Sequence, residues 1–185
     1  MRIISGILKG KKLTVPSDKM TRPLRDIVKE SIFNLIEHSN KFSPKIKNMN
    51  VLDLFSGSGS FGLECISRGA KNVIFVENYA KTLEVLKENI FALNVNHKCK
   101  LIEKDIFYFL KSDIIPFKFN IIFIDPPYKE GKINELISSI KNIKILNKNG
   151  IIILHRHKKD FVKISSELNV LDTRTYGISK IIIGH

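Results

Sequence analysis

The chain has 185 residues, with 31 Lys and Arg against 18 Asp and Glu, a formal net charge of +13. That length predicts one domain, and a hydrophobic fraction of 43% supports a real core and excludes wholesale disorder. No apolar run approaches the roughly 18 residues a membrane helix needs, and Lys9, Lys11 and Lys12 follow the N-terminus too closely for a secretory signal, so a cytoplasmic protein is expected.

Residues 1–20 read as a short basic β-hairpin: Arg2-Ile3-Ile4, a Gly6 to Gly10 turn, then Lys12 to Val15, ended by Pro16. Thr21-Arg22-Pro23 reads as a helix entry, followed by Ile27, Ser31, Ile32, Leu35 and Ile36 at helical spacing. The first 30 residues hold eight Lys or Arg and three Asp or Glu. Residues 39–50 are polar and read as a linker.

From Met49 strands and helices alternate. Strands are predicted at 51–55, 72–77, 100–103, 119–124 and 150–154, and helices up to Arg68, over 80–94, 133–142 and 160–168. Ile121 to Ile124 are apolar on both faces, as a buried parallel strand requires. A final pair, 170–175 and 178–183, turns at Gly177, which makes the last strand antiparallel. The pattern predicts an α/β open sheet with ligands at the carboxyl ends of its strands, in two parts: residues 1–40 as a basic hairpin and helix and 41–185 as the sheet domain.

Gly57-Ser58-Gly59-Ser60-Phe61-Gly62 fits GxGxxG between a strand and a helix, and Glu77 ends the next strand. Such glycines let backbone approach a ligand, and the acid can accept from both ribose hydroxyls. The pattern suits a dinucleotide or any adenosine-containing cofactor; a plain tight turn is the alternative. Asp53, inside the first strand, would repel a pyrophosphate. Asp53-Leu54-Phe55-Ser56-Gly57-Ser58-Gly59 resembles the first motif of S-adenosylmethionine-dependent methyltransferases. The resemblance implies a cofactor site of Asp53, Phe55, Gly57, Gly59 and Glu77, with Asp53 near the methionine end. Asp105 then holds the adenine amino group and Ile106 flanks the ring, while a helix N-cap is the other reading of Asp105.

Asp125-Pro126-Pro127-Tyr128 follows the fourth strand. Consecutive prolines stiffen the backbone and supply carbonyls without N–H donors. The Asp125 carboxylate and the Pro126 carbonyl can grip the two hydrogens of an exocyclic base amine and stabilise the charge developing on nitrogen. Tyr128 offers a face for stacking. No metal is required: Cys65 and Cys99 form no CxxC pair, and His155 and His157, on one strand face, have no further ligand nearby.

Almost the whole chain resembles the RsmD family of bacterial ribosomal RNA guanine-N2 methyltransferases. Arg2 to Gly6, Gly10 to Leu13, Thr21-Arg22-Pro23 with Asp26, Val28, Lys29 and Glu30, Phe33-Asn34, Asp53 to Ala70 and the DPPY tetrapeptide carry the likeness. It implies a Rossmann-like, seven-stranded methyltransferase fold and methylation of one guanine N2 in 16S rRNA of a partly assembled small subunit. RNA would dock through Arg2, Lys9, Lys11, Lys12, Arg22 and Arg25, with Arg22 also near the cofactor carboxylate. Where the family often has an acid at the end of the fifth strand, this chain has His155-Arg156-His157, which with Lys158 and Lys159 reads as a basic RNA-facing edge. An amino-methyltransferase acting on adenine N6, or a non-catalytic RNA-binding assembly factor, are the alternatives.

Overall fold

The computed structural model describes residues 1–17, 24–127, 131–160 and 163–185. Helix α1 (Asp26–His38) leads into strand β1 (Asn50–Leu54), α2 (Ser60–Ser67), β2 (Asn72–Glu77), α3 (Ala80–Ala92), β3 (Cys99–Glu103) and α4 (Ile106–Leu110). Strand β4 (Phe119–Ile124), α5 (Ile133–Asn142), β5 (Leu146–His157), β6 (Val170–Tyr176) and β7 (Ser179–Gly184) complete it. The seven strands form one sheet in the order β3-β2-β1-β4-β5-β7-β6. The first five are parallel, and β7 lies antiparallel between β5 and β6. The winding reverses between β1 and β4, so the crevice for a ligand opens at the carboxyl ends of those two strands.

Burial on both faces explains the unbroken apolar runs. Ile121 and Phe123 of β4 enter a core layer with α1, α2 and α3, whereas Ile122 and Ile124 enter the opposite layer with α4 and α5. A stack of rings joins the N-terminal helix to the sheet: Phe33 on Phe61 at 5.1 Å, and Phe61 on Phe123 at 4.0 Å.

Several local expectations change. The expected hairpin shrinks to a single antiparallel bridge, Arg2 to Lys12. Glu64 of α2 accepts the Ile4 and Ser5 N–H groups at 2.7 and 2.9 Å, and the Ser67 carbonyl accepts that of Ile7. Helix α1 begins at Asp26, and the expected entry at Thr21-Arg22-Pro23 lies outside the described residues. Its buried face is Val28, Lys29, Ile32, Phe33 and Ile36, while Ile27 is 68% exposed. The register of α1 follows the Phe33 stack. Within the expected linker, Phe42 and Ile46 are core residues. The helix expected over 160–168 is absent among its described residues. There Ser165 N–H donates to the Asn134 side chain at 2.8 Å and Leu168 N–H to the Ser165 carbonyl, bonds that replace a helical ladder.

Candidate active site

The glycine loop is built from alternating left-handed residues. Phe55, Gly57 and Gly59 have φ of 58°, 55° and 81°, a region that is costly for a side chain such as that of Phe55. The glycines do different work. A Cβ on Gly57 would meet nothing within 4 Å, so this position borders open space. On Gly59 it would lie 2.4 Å from Leu86 of α3, and on Gly62 2.2 Å from the Phe75 ring, so these two allow close helix packing. Ser56 ties the end of β1 to β2: its hydroxyl donates to the Asp53 carbonyl at 2.6 Å and accepts the Val76 N–H at 3.0 Å.

Three carboxylates converge here. Asp53, 1% exposed, accepts the Gly62 N–H of α2 at 2.9 Å through Oδ2. Burial pushes its carboxyl well above the usual range; the Gly62 bond opposes this, and the charges of Asp125 and Glu77 add to it. Glu77 accepts Gly57 N–H at 2.8 Å through Oε2, and Asn78 and Tyr79 N–H at 2.9 Å through Oε1. It thus pins the glycine loop and the turn that leads into α3, and with about four lone-pair sites on a carboxylate it keeps capacity for about one more donor. None of the three pairs with a Lys or Arg among the described residues. Asp105 is the N-cap of α4, accepting Phe107 and Tyr108 N–H at 2.9 and 3.2 Å through Oδ1 alone. Ile106 is buried in the core layer beneath.

Asp125 stands one residue beyond β4, half-buried, followed by a buried Pro126 and an exposed Pro127. Its Oδ1 lies 2.8 Å from His155 Nδ1, and its Oδ2 has no partner among the described residues. The expected roles of Tyr128 and Arg22 fall outside the described residues. His155 is not on a basic outer edge: its side chain is 12% exposed and turned to Asp125, with Nε2 2.9 Å from Ser179 Oγ. Sequence reasoning singled out His155 without this partner, because a cross-strand neighbour 30 residues away leaves no local signal. Among the described residues no group of three or more His, Cys, Asp and Glu could hold a metal.

Lys9, Lys11, Lys12 and Arg25 are exposed, and Arg2 extends its guanidinium to 3.7 Å from Asp26. These cations sit on a firmly held base. Lys29, fully buried, donates to the Arg2 carbonyl at 2.6 Å and to Ser60 Oγ at 3.2 Å. Burial lowers the Lys29 pKa, with Glu64 and Asp26 opposing. Asn89 of α3 exchanges bonds with Thr14 and donates to the Ser58 carbonyl at 3.0 Å, so residue 14 is tied to the glycine loop itself.

The chain as a whole, and its fold, are shared with known proteins. The family model described as Conserved hypothetical protein 95 matches residues 1–185. The chain belongs to this family. Among its relatives, "Ribosomal RNA small subunit methyltransferase D" of Buchnera aphidicola is 36% identical over 160 residues, 86% of this chain and 80% of that one. The solved structure of "Putative methyltransferase yhhF" from Escherichia coli superposes with a TM-score of 0.82 at 26% identity, covering 99% and 96% of the two chains. SMU.776, crystallised with SAH, shares the fold at a TM-score of 0.65 and 18% identity, over 85% of this chain and 49% of that one. The fold is that of the S-adenosylmethionine-dependent methyltransferases, and the chain is a methyltransferase of this family.

Proposed function

We propose that the protein transfers a methyl group from S-adenosylmethionine to the exocyclic N2 of a guanine in 16S rRNA, in the cytoplasm, on a partly assembled small subunit. The observation that carries this reading is the Asp125 carboxylate, held by one oxygen and open at the other, beside the acidic end of β1. The relative named as a small-subunit methyltransferase supports the choice of RNA. The converging carboxylates, unpaired with Lys or Arg among the described residues, suit a cationic adenosine-containing cofactor, and the open face of Gly57 leaves room for it. Asp53 would face the methionine end, Glu77 the ribose, and Asp105 the adenine through its unused Oδ2. Arg22 and Tyr128 keep their proposed roles at the cofactor carboxylate and the base.

When bound, S-adenosylmethionine supplies a methyl group on a sulfonium. Asp125 Oδ2 and the Pro126 carbonyl accept the two amine hydrogens and turn the nitrogen lone pair out of the ring system. As the N–C bond forms and the S–C bond breaks, positive charge grows on nitrogen beside the Asp125 carboxylate. The surplus N–H proton leaves through Asp125 to water. Residues 1–40 dock the RNA, and the target base leaves its stack to reach the turn.

Labelled methyl donor with small subunits from a strain lacking the modification tests the reading: label on one guanine N2 is expected, and label on adenine or none overturns it. Asp125→Ala is expected to lower kcat about 10²–10³-fold while SAH affinity, measured by calorimetry, stays within about twofold.

A further inference from the structure

We propose that His155 is a positioning residue for Asp125, held in turn by Ser179. This rests on the role of Asp125 proposed above. Parallel pairing of β4 and β5 sets Ile124 opposite Leu154, so the next register position brings residue 125 against residue 155. Antiparallel pairing of β7 with β5 then delivers Ser179 opposite His157, one pleat from His155. Three strands thus supply a chain of contacts: Asp125 Oδ1 to His155 Nδ1 at 2.8 Å and His155 Nε2 to Ser179 Oγ at 2.9 Å. Ser179 is 7% exposed, so the far end of the chain is anchored in the core.

The proton positions follow from the partners. A carboxylate only accepts, so Nδ1 carries the hydrogen that faces Asp125, and Nε2 shares the second hydrogen bond with the Ser179 hydroxyl, which can donate or accept. Both ring nitrogens are then spent, which leaves His155 to orient its neighbour. Pinning Oδ1 removes the rotation that would otherwise exchange the two carboxylate oxygens, and it keeps Oδ2 at one place for the amine.

Misplacing a catalytic group by about 1 Å can cost about 100-fold, so His155→Leu is expected to lower kcat about 10- to 100-fold. KM for S-adenosylmethionine and SAH affinity should stay within about twofold. His155→Asn, whose amide N–H sits near the place of Nδ1, should recover kcat to within about threefold of wild type. Ser179→Ala, a milder change, should lower kcat about threefold. Independently of turnover, long-range 1H–15N spectra should show His155 protonated at Nδ1 in wild type and shifted in Asp125→Asn. His155→Leu with wild-type kcat, an equal loss in the Leu and Asn variants, or a His155 spectrum indifferent to Asp125→Asn would overturn the proposal. A wild-type protein that methylates no small subunit but passes the spectral test would instead overturn the proposed function.

Discussion

Gly57 and Gly62 belong to one motif, yet a methyl group added to each meets different surroundings. At Gly57 it meets open space at φ 55°, and at Gly62 it falls 2.2 Å from the Phe75 ring. Gly57→Ala is expected to cost about 1–2 kcal/mol for its left-handed backbone and to weaken SAH binding at least about tenfold by calorimetry. Gly62→Ala is expected to cost about 3 kcal/mol by overpacking, read as a lower urea midpoint. Asp53 makes a second prediction. Its carboxyl keeps its proton to a higher pH than usual because of burial and of Asp125 and Glu77. A cation bound beside it favours the carboxylate, so binding S-adenosylmethionine should release a proton and tighten as pH rises through the Asp53 pKa of the free chain. Calorimetry in buffers of different ionisation enthalpy measures that proton.

Elements are joined by polar contacts as much as by apolar ones. Glu64 of α2 accepts from Ile4, Ser5 and the Arg68 side chain, at 2.7, 2.9 and 2.8 Å, and lies 3.8 Å from the buried Lys29 ammonium. Glu64→Leu removes the buried counter-charge of Lys29 and strands two backbone donors, and the expected cost is about 3–5 kcal/mol by urea unfolding, with faster proteolysis between Lys9 and Lys12. The strands β2 and β4 and helix α5 lie where hydrophobic period predicts them, because each of these segments follows its own period without an outside partner. Residues 163–168 do not follow theirs, because Asn134 offers their backbone a competing acceptor. The short α4 was legible only as a capping choice at Asp105, whose side chain starts it.

At the scale of the molecule, the N-terminal segment and the sheet share one core layer, in which Ile3, Leu13 and Ile32 pack with Phe61 and Phe123. A basic docking surface on such a base holds a fixed position relative to the site. Replacing Lys11 and Lys12 together by Ala should weaken RNA binding and flatten the plot of log affinity against log salt by about 1.5 in slope; an unchanged slope would place the docking surface elsewhere. The alternation of strands and helices, the antiparallel last strand, the glycine loop, the acid of β1 and the Asp-Pro-Pro turn were all legible in the sequence, because periodicity and turn chemistry are local properties. The partner of His155, the burial of Lys29 and the separate duties of Gly57 and Gly62 emerged only in the tertiary structure. Each depends on strands and helices distant along the chain arriving at one place, and strand register and helix packing, rather than neighbouring residues, decide which groups meet there.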